Sequence, residues 1–97
     1  MPNQLLDSIE NTFNKCLQIA ESKNADYSYG DNPYKNFEMS ELIGVSTAKG
    51  ILIRMMDKIS RIGNLLDREA KVADEKITDT LDDLINYAAI LKAYLEK

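Results

Sequence analysis

The chain has 97 residues, a single cysteine, no histidine and a formal charge of −4. That length bounds it to one domain with a modest core, a size at which metals or assembly often add stability. The lone Cys16 excludes a disulfide within the chain. The absence of His removes the usual zinc sites and Ser-His or Cys-His catalysis, so any metal must be held by carboxylates, which favours Mg²⁺ or Mn²⁺.

Mild acidity argues against a nucleic-acid polymer as partner. No basic-then-apolar leader opens the chain, and no apolar run approaches the roughly 18 residues that span a bilayer. With one thiol, the expectation is a cytoplasmic protein with no membrane part.

The first predicted element is an amphipathic helix over 3–23, with Leu6, Ile9, Phe13, Cys16, Leu17 and Ala20 on its apolar stripe. Cys16 lies on that stripe and reads as core. Residues 24–40 have no helical period; they combine Gly-Asp-Asn-Pro turn chemistry with Tyr27, Tyr29, Tyr34 and Phe37. The rings serve either to pin a long ordered loop or to stack on a flat ligand. Ser40 can cap a short helical turn ended by Gly44, and Ser46 a long helix over 47–67. Gly50 and Gly63 each cost that helix about 1 kcal/mol relative to Ala, which calls for a close approach at both. A polar stretch, 68–76, leads to a last helix over 78–96 with Thr78 as N-cap.

At 100° per residue, Leu52, Met55, Met56, Ile59, Ile62 and Leu66 form the predicted core face of the long helix, with Arg54, Asp57, Arg61 and Asn64 opposite and Lys58 on the border. On the last helix Ile77, Leu81, Leu84, Ala88, Leu91 and Leu95 form the stripe, while Asp79, Asp83 and Asn86 point away beside Tyr87. Asp79 and Asp83 are one turn apart, a spacing at which two carboxylates either share a hard cation or form a solvated acidic first turn. The basic stripe of Arg54, Lys58 and Arg61 likewise suits a phosphate or a solvated face. Ile85, Ala89, Ile90 and Tyr94 make the C-terminal half apolar nearly all round. A helix of that kind is normally buried, so a homo-oligomer, dimer or higher, is expected. The fold class that emerges is all-α: three long helices, a long ordered loop and a short helical turn.

Several motifs occur in order: Lys23-Asn-Ala-Asp-Tyr27, Tyr29-Gly-Asp-Asn-Pro-Tyr-Lys-Asn-Phe37, Gly50-Ile-Leu-Ile-Arg54, Asp57-Lys-Ile-Ser-Arg61 and Asp79-Thr-Leu-Asp-Asp-Leu-Ile-Asn-Tyr87. Over about residues 20–90 the chain thereby resembles the first nucleotide-modification-associated domain, a mostly phage and bacterial family regarded as related to the MazG-like all-α nucleoside triphosphate pyrophosphohydrolases. The resemblance implies a helical, oligomeric protein that handles nucleotides. It implies Asp57, Asp79 and Asp83 as catalytic carboxylates and Mg²⁺ ligands. It also implies a ligand-binding set of Lys23, Asp26, Tyr27, Asn32, Asn36, Arg54, Lys58, Arg61, Asn86 and Tyr87.

This sequence departs from the pyrophosphohydrolase pattern at two places. Arg54 stands where the first Glu of a Glu-x-x-Glu pair belongs, and the second carboxylate pair is i,i+4 unless Asp82 replaces Asp83. Three short carboxylates among three cations hold a divalent ion weakly and suit a phosphate better. Two functions are therefore expected ahead of a protein-docking module: Mg²⁺-dependent hydrolysis of a nucleotide, modified or not, and sequestration of a nucleotide or cyclic nucleotide without turnover.

Overall fold

A computed structural model describes residues 3–27, 32–67 and 76–97, with side chains in the first stretch described up to residue 24. Among the described residues four α-helices follow in order: α1 (Gln4–Tyr27), α2 (Lys35–Glu38), α3 (Thr47–Asp67) and α4 (Ile77–Glu96), with a 3₁₀ turn, Met39–Ile43, between α2 and α3. The expected all-α class is the observed one. The stretch at 68–75, read as a polar connection, and Tyr29 lie outside the described residues.

Local chemistry sets most of the boundaries. The Asn3 side chain accepts the Leu6 N–H at 3.1 Å, and Ser46 accepts the Lys49 N–H at 3.3 Å, so both helices begin on side-chain caps. Gly44 ends the 3₁₀ turn at φ +81°, a conformation without penalty only for a residue lacking Cβ. The last helix starts one residue earlier than expected: Lys76 is its N-cap and Thr78 lies inside its first turn. The first helix runs to Tyr27, past the predicted end at 23, because the residues after Lys23 continue the turn before Gly30 and Pro33 intervene.

The centre of the fold is the α3–α4 hairpin. Lys58 meets Asp83 at 3.3 Å, while Arg54, a turn before Lys58, and Tyr87, a turn after Asp83, line the same cavity; the two helices are antiparallel. Ile51 is wholly buried, and Met55, Lys58, Ile62 and Leu65, further along the same face of α3, are half-buried. On α4 the residues along the line that faces α3 are Thr80, Asp83, Leu84, Tyr87, Leu91 and Tyr94, while the buried Asp82 turns toward α1.

These faces correct the predicted ones. On both helices the line of contact is rotated by roughly 70° from the apolar stripe, which draws Lys58, Asp83 and Tyr87 inward and leaves Leu52, Met56, Ile59, Leu66, Leu81 and Leu95 exposed. The apolar arc of each helix is wider than one neighbour can cover. Packing also has to satisfy the Lys58–Asp83 pair, which lies at one edge of that arc.

The remaining elements cover one side of the hairpin. On α1, Cys16 is 3 % exposed, as the sequence predicted, and sits against Asp82 of α4. Leu6, Phe13 and Leu17 of the same predicted stripe are exposed. The segment of α2 and the 3₁₀ turn packs on the first turns of α3. There Ser40 Oγ lies within reach of the Phe37, Val45 and Ser46 carbonyls, and Glu41 accepts a hydrogen bond from the buried Thr47 hydroxyl. Gly50 permits this packing: a Cβ there would stand 2.6 Å from Ser40 Oγ and 2.9 Å from its Cβ. At Gly63 a Cβ would meet nothing within 4 Å, so the close approach expected there has no partner among the described residues.

Candidate functional site

Between α1 and the α2 segment, with α3 and α4 as floor, lies a trough of about 830 Å³. Its position follows from helical phase. Arg54 on α3 and Asp83, Asn86, Tyr87 and Ile90 on α4 all lie to the same side of the line of contact. Leu17, Ala20, Glu21, Lys23 and Asn24 come from the second half of α1, and Tyr34, Asn36, Phe37 and Met39 from the opposite wall.

The wall opposite α1 is aromatic. Phe37 meets Tyr87 edge-on with ring centres 6.3 Å apart, and the Arg54 guanidinium lies 4.7 Å from the Phe37 centroid. Stacking on a π face orients the planar cation while leaving its N–H edge able to donate. Further along, Tyr34 meets Tyr94 at 5.3 Å, and Lys97 stands over both rings. These pairs place two of the loop's aromatic residues against α4, with Phe37 and Tyr34 both facing the cavity.

Charge is concentrated at one end. Asp83 is held by Lys58 at 3.3 Å and by Lys23 at 3.8 Å. With Arg54, these lysines give three cations against the two carboxylates Glu21 and Asp83, so the end is net positive.

The resemblance-implied residues are brought together only in part. Lys23, Asn36, Arg54, Asp83, Asn86 and Tyr87 line the trough, and Lys58 reaches it through Asp83. Asp26 and Tyr27 are on the last turn of α1, with side chains outside the described residues. Asn32 is engaged elsewhere: its Oδ1 accepts the Tyr34 N–H at 3.0 Å and its Nδ2 donates to Glu38, which shapes the entry to α2. Arg61 is exposed on α3, beyond the lining.

The three aspartates expected to share Mg²⁺ do not converge on one point. Asp79 is exposed and paired with Lys15 at 3.4 Å across the α1–α4 contact, Asp57 is exposed off the lining, and Asp83 carries two lysines. Among the described residues no group of three metal-ligating side chains comes together. Within one chain this donor set does not fit a divalent cation, because Asp79 and Asp83 already have lysine partners and Asp57 lies off the lining.

Asp82, an afterthought in the sequence pattern, is the most buried carboxylate described. It is 7 % exposed, meets Lys15 at 3.0 Å and faces Cys16 Sγ at 3.8 Å. Its hydrogen bond and charge raise the Lys15 ammonium above its ordinary value. Burial first, and Asp82 second, push the Cys16 thiol up. This cluster locks α1 to α4.

The trough residues that the motifs did not single out are chiefly small or apolar: Leu17, Ala20, Met39, Ile90 and Ala93. Leu17 and Ala20 were legible only as part of the first helix's apolar stripe, and Ile90 only through the loss of amphipathicity on α4.

Fold and site together define an all-α domain that carries an aromatic and cationic trough. The sequence model of the family described as nucleotide modification associated domain 1 matches residues 23–93, and the chain belongs to that family. All the described trough residues except Leu17, Ala20 and Glu21 fall inside the matched stretch. Comparison with curated proteins and with solved structures gives no match.

Proposed function

We propose that the trough binds a nucleotide without turning it over. The observation that carries this reading is that one cavity of about 830 Å³ is lined by edge-to-face aromatic side chains and, at one end, by Arg54 and Lys23. A volume of this order suits a nucleotide-sized ligand. The base packs on the Phe37–Tyr87 wall, Asn36 and Asn86 supply the hydrogen-bonding edge, and the phosphates meet Arg54, Lys23 and Lys58. A phosphate arriving beside Asp83 exchanges a carboxylate partner for its own oxygens, so the lysines are already positioned. The family's association with nucleotide modification agrees with a nucleotide as ligand.

The MazG-like likeness of the sequence favours the second reading, Mg²⁺-dependent release of pyrophosphate from a nucleoside triphosphate by Asp57, Asp79 and Asp83. The failure of those three carboxylates to converge within a chain, with Asp79 and Asp83 each held by lysine, favours binding alone.

The test is calorimetric titration with linear, cyclic and base-modified nucleotides, with and without Mg²⁺, alongside a pyrophosphate assay. Binding that persists in EDTA with no product is expected. Arg54→Ala should weaken it about 10- to 100-fold, the worth of a charge-assisted hydrogen-bonded contact. Pyrophosphate release from any triphosphate would replace sequestration with hydrolysis. No heat from any nucleotide would sink both.

A further inference from the structure

The side of the α3–α4 hairpin that faces away from the trough is bare. Leu52, Met56, Ile59 and Leu66 are between 46 % and 73 % exposed on α3. With Gly63, they are spaced 4, 3, 4 and 3 residues apart, the heptad seam by which helices pair side by side. Leu81, Ala88 and Leu95 are exposed on α4. In antiparallel helices whose stripes are displaced in the same sense from the line of contact, the two stripes lie on one side, so they form a single apolar face.

The area fits a partner of the chain's own size. A folded monomer of 11.0 kDa is expected to expose about 5,600 Å², whereas this chain exposes 7556 Å². The surplus, about 1,900 Å², is what each partner of a large obligate interface covers. The radius of gyration, 15.3 Å, likewise exceeds the about 12.5 Å of a packed domain of this length.

We propose that a second copy of this chain covers that face, with α3 lying antiparallel on α3 of the second copy about a two-fold axis at Ile59, so that the hairpins form a four-helix core. Ile59 is the midpoint of the seam from Leu52 to Leu66, so on reversal Leu52 meets Leu66, Ile59 meets itself, and Met56 falls within one residue of Gly63. Charge supports that direction. Lys49 and Asp67 flank the seam at its two ends, on the same side of α3, and antiparallel pairing brings each Lys49 near the Asp67 of the other copy; parallel pairing would set like charges together. Gly63, with nothing within 4 Å of its absent Cβ, then serves close approach of the second copy. This pairing is independent of the nucleotide reading, since the face lies opposite the trough.

The test starts with light scattering on the full chain at tens of micromolar, where the mass should be twice 11.0 kDa. Ile59→Cys should form a disulfide-linked dimer on mild oxidation, because the two-fold axis sets the residue against itself and Cys16 is buried. Lys49→Glu should raise the dimer dissociation constant about tenfold, and adding Asp67→Lys should restore it. A monomeric wild type overturns the proposal, as does an assembly in which Ile59→Cys does not cross-link or in which the charge reversal is silent.

Discussion

Lys15, Cys16 and Asp82 show how a few residues set the pH response of the molecule. Asp82 is nearly buried, and its charge is answered by Lys15 and sensed by Cys16. The folded values of both Lys15 and Cys16 lie above their ordinary 10.5 and 9.0. Folding thus retains protons that the unfolded chain has lost at alkaline pH. Their stabilisation is complete below pH 9.0 and is lost as pH rises, first through Cys16 and then through Lys15. Melting temperature should fall as pH passes 9, and a Cys16→Ala variant, less stable throughout, should lose the first part of that slope. An equal slope in both proteins would show that the thiol is not coupled to folding. The sequence placed Cys16 correctly because a small apolar residue on a helical stripe carries its own burial signal. It did not single out Asp82, because burial of a carboxylate depends on a lysine sixty-seven positions away, Lys15, which no local period reveals.

At the scale of elements, the contact between Ser40 and Gly50 fixes where the aromatic wall stands. The segment from Lys35 to Ile43 has few residues and no buried side chain of its own, so its position comes from close packing of Ser40 on Gly50 and from the Glu41–Thr47 hydrogen bond. A Gly50→Ala change gains about 1 kcal/mol of helix propensity but places a methyl 2.9 Å from Ser40 Cβ, which cannot swing aside. Overpacking costs of about 1–3 kcal/mol should prevail, so urea denaturation should show net destabilisation of roughly 1 kcal/mol. Phe37 moves with this segment, so nucleotide affinity should weaken as well. A stabilised Gly50→Ala would mean that the segment stands off from α3. The glycine itself was legible as an expensive residue in a helix interior; its partner was not. Likewise, helix existence, the Ser46 cap and the Gly44 stop were written in local chemistry. The inward faces of α3 and α4 were not, because the apolar arcs are wide and only tertiary packing decides which edge of each arc meets the other helix.

Taken whole, the molecule keeps an aromatic and cationic trough on one side and leaves much of its apolar surface outside. Cys16 and Ile51 are the buried apolar side chains among the described residues, against fifteen large apolar ones exposed. A core of that size cannot offset the ordering of a chain of this length, for which conformational entropy alone costs on the order of 100 kcal/mol. Folding and pairing should then be one event, with unfolding of the dimer coupled to its dissociation. Mass action makes such a protein more stable as it is concentrated, by about 1.4 kcal/mol per tenfold. For a paired unit of twice this length, the midpoint should climb roughly 3–5 °C per tenfold. Calorimetric scans between about 1 and 100 µM would read that climb directly, and the Lys49→Glu variant should melt lower at every concentration while keeping the same dependence. A midpoint that stays fixed across this range would show a monomer stable on its own. In that case the fifteen exposed side chains would have to be accommodated without a second copy.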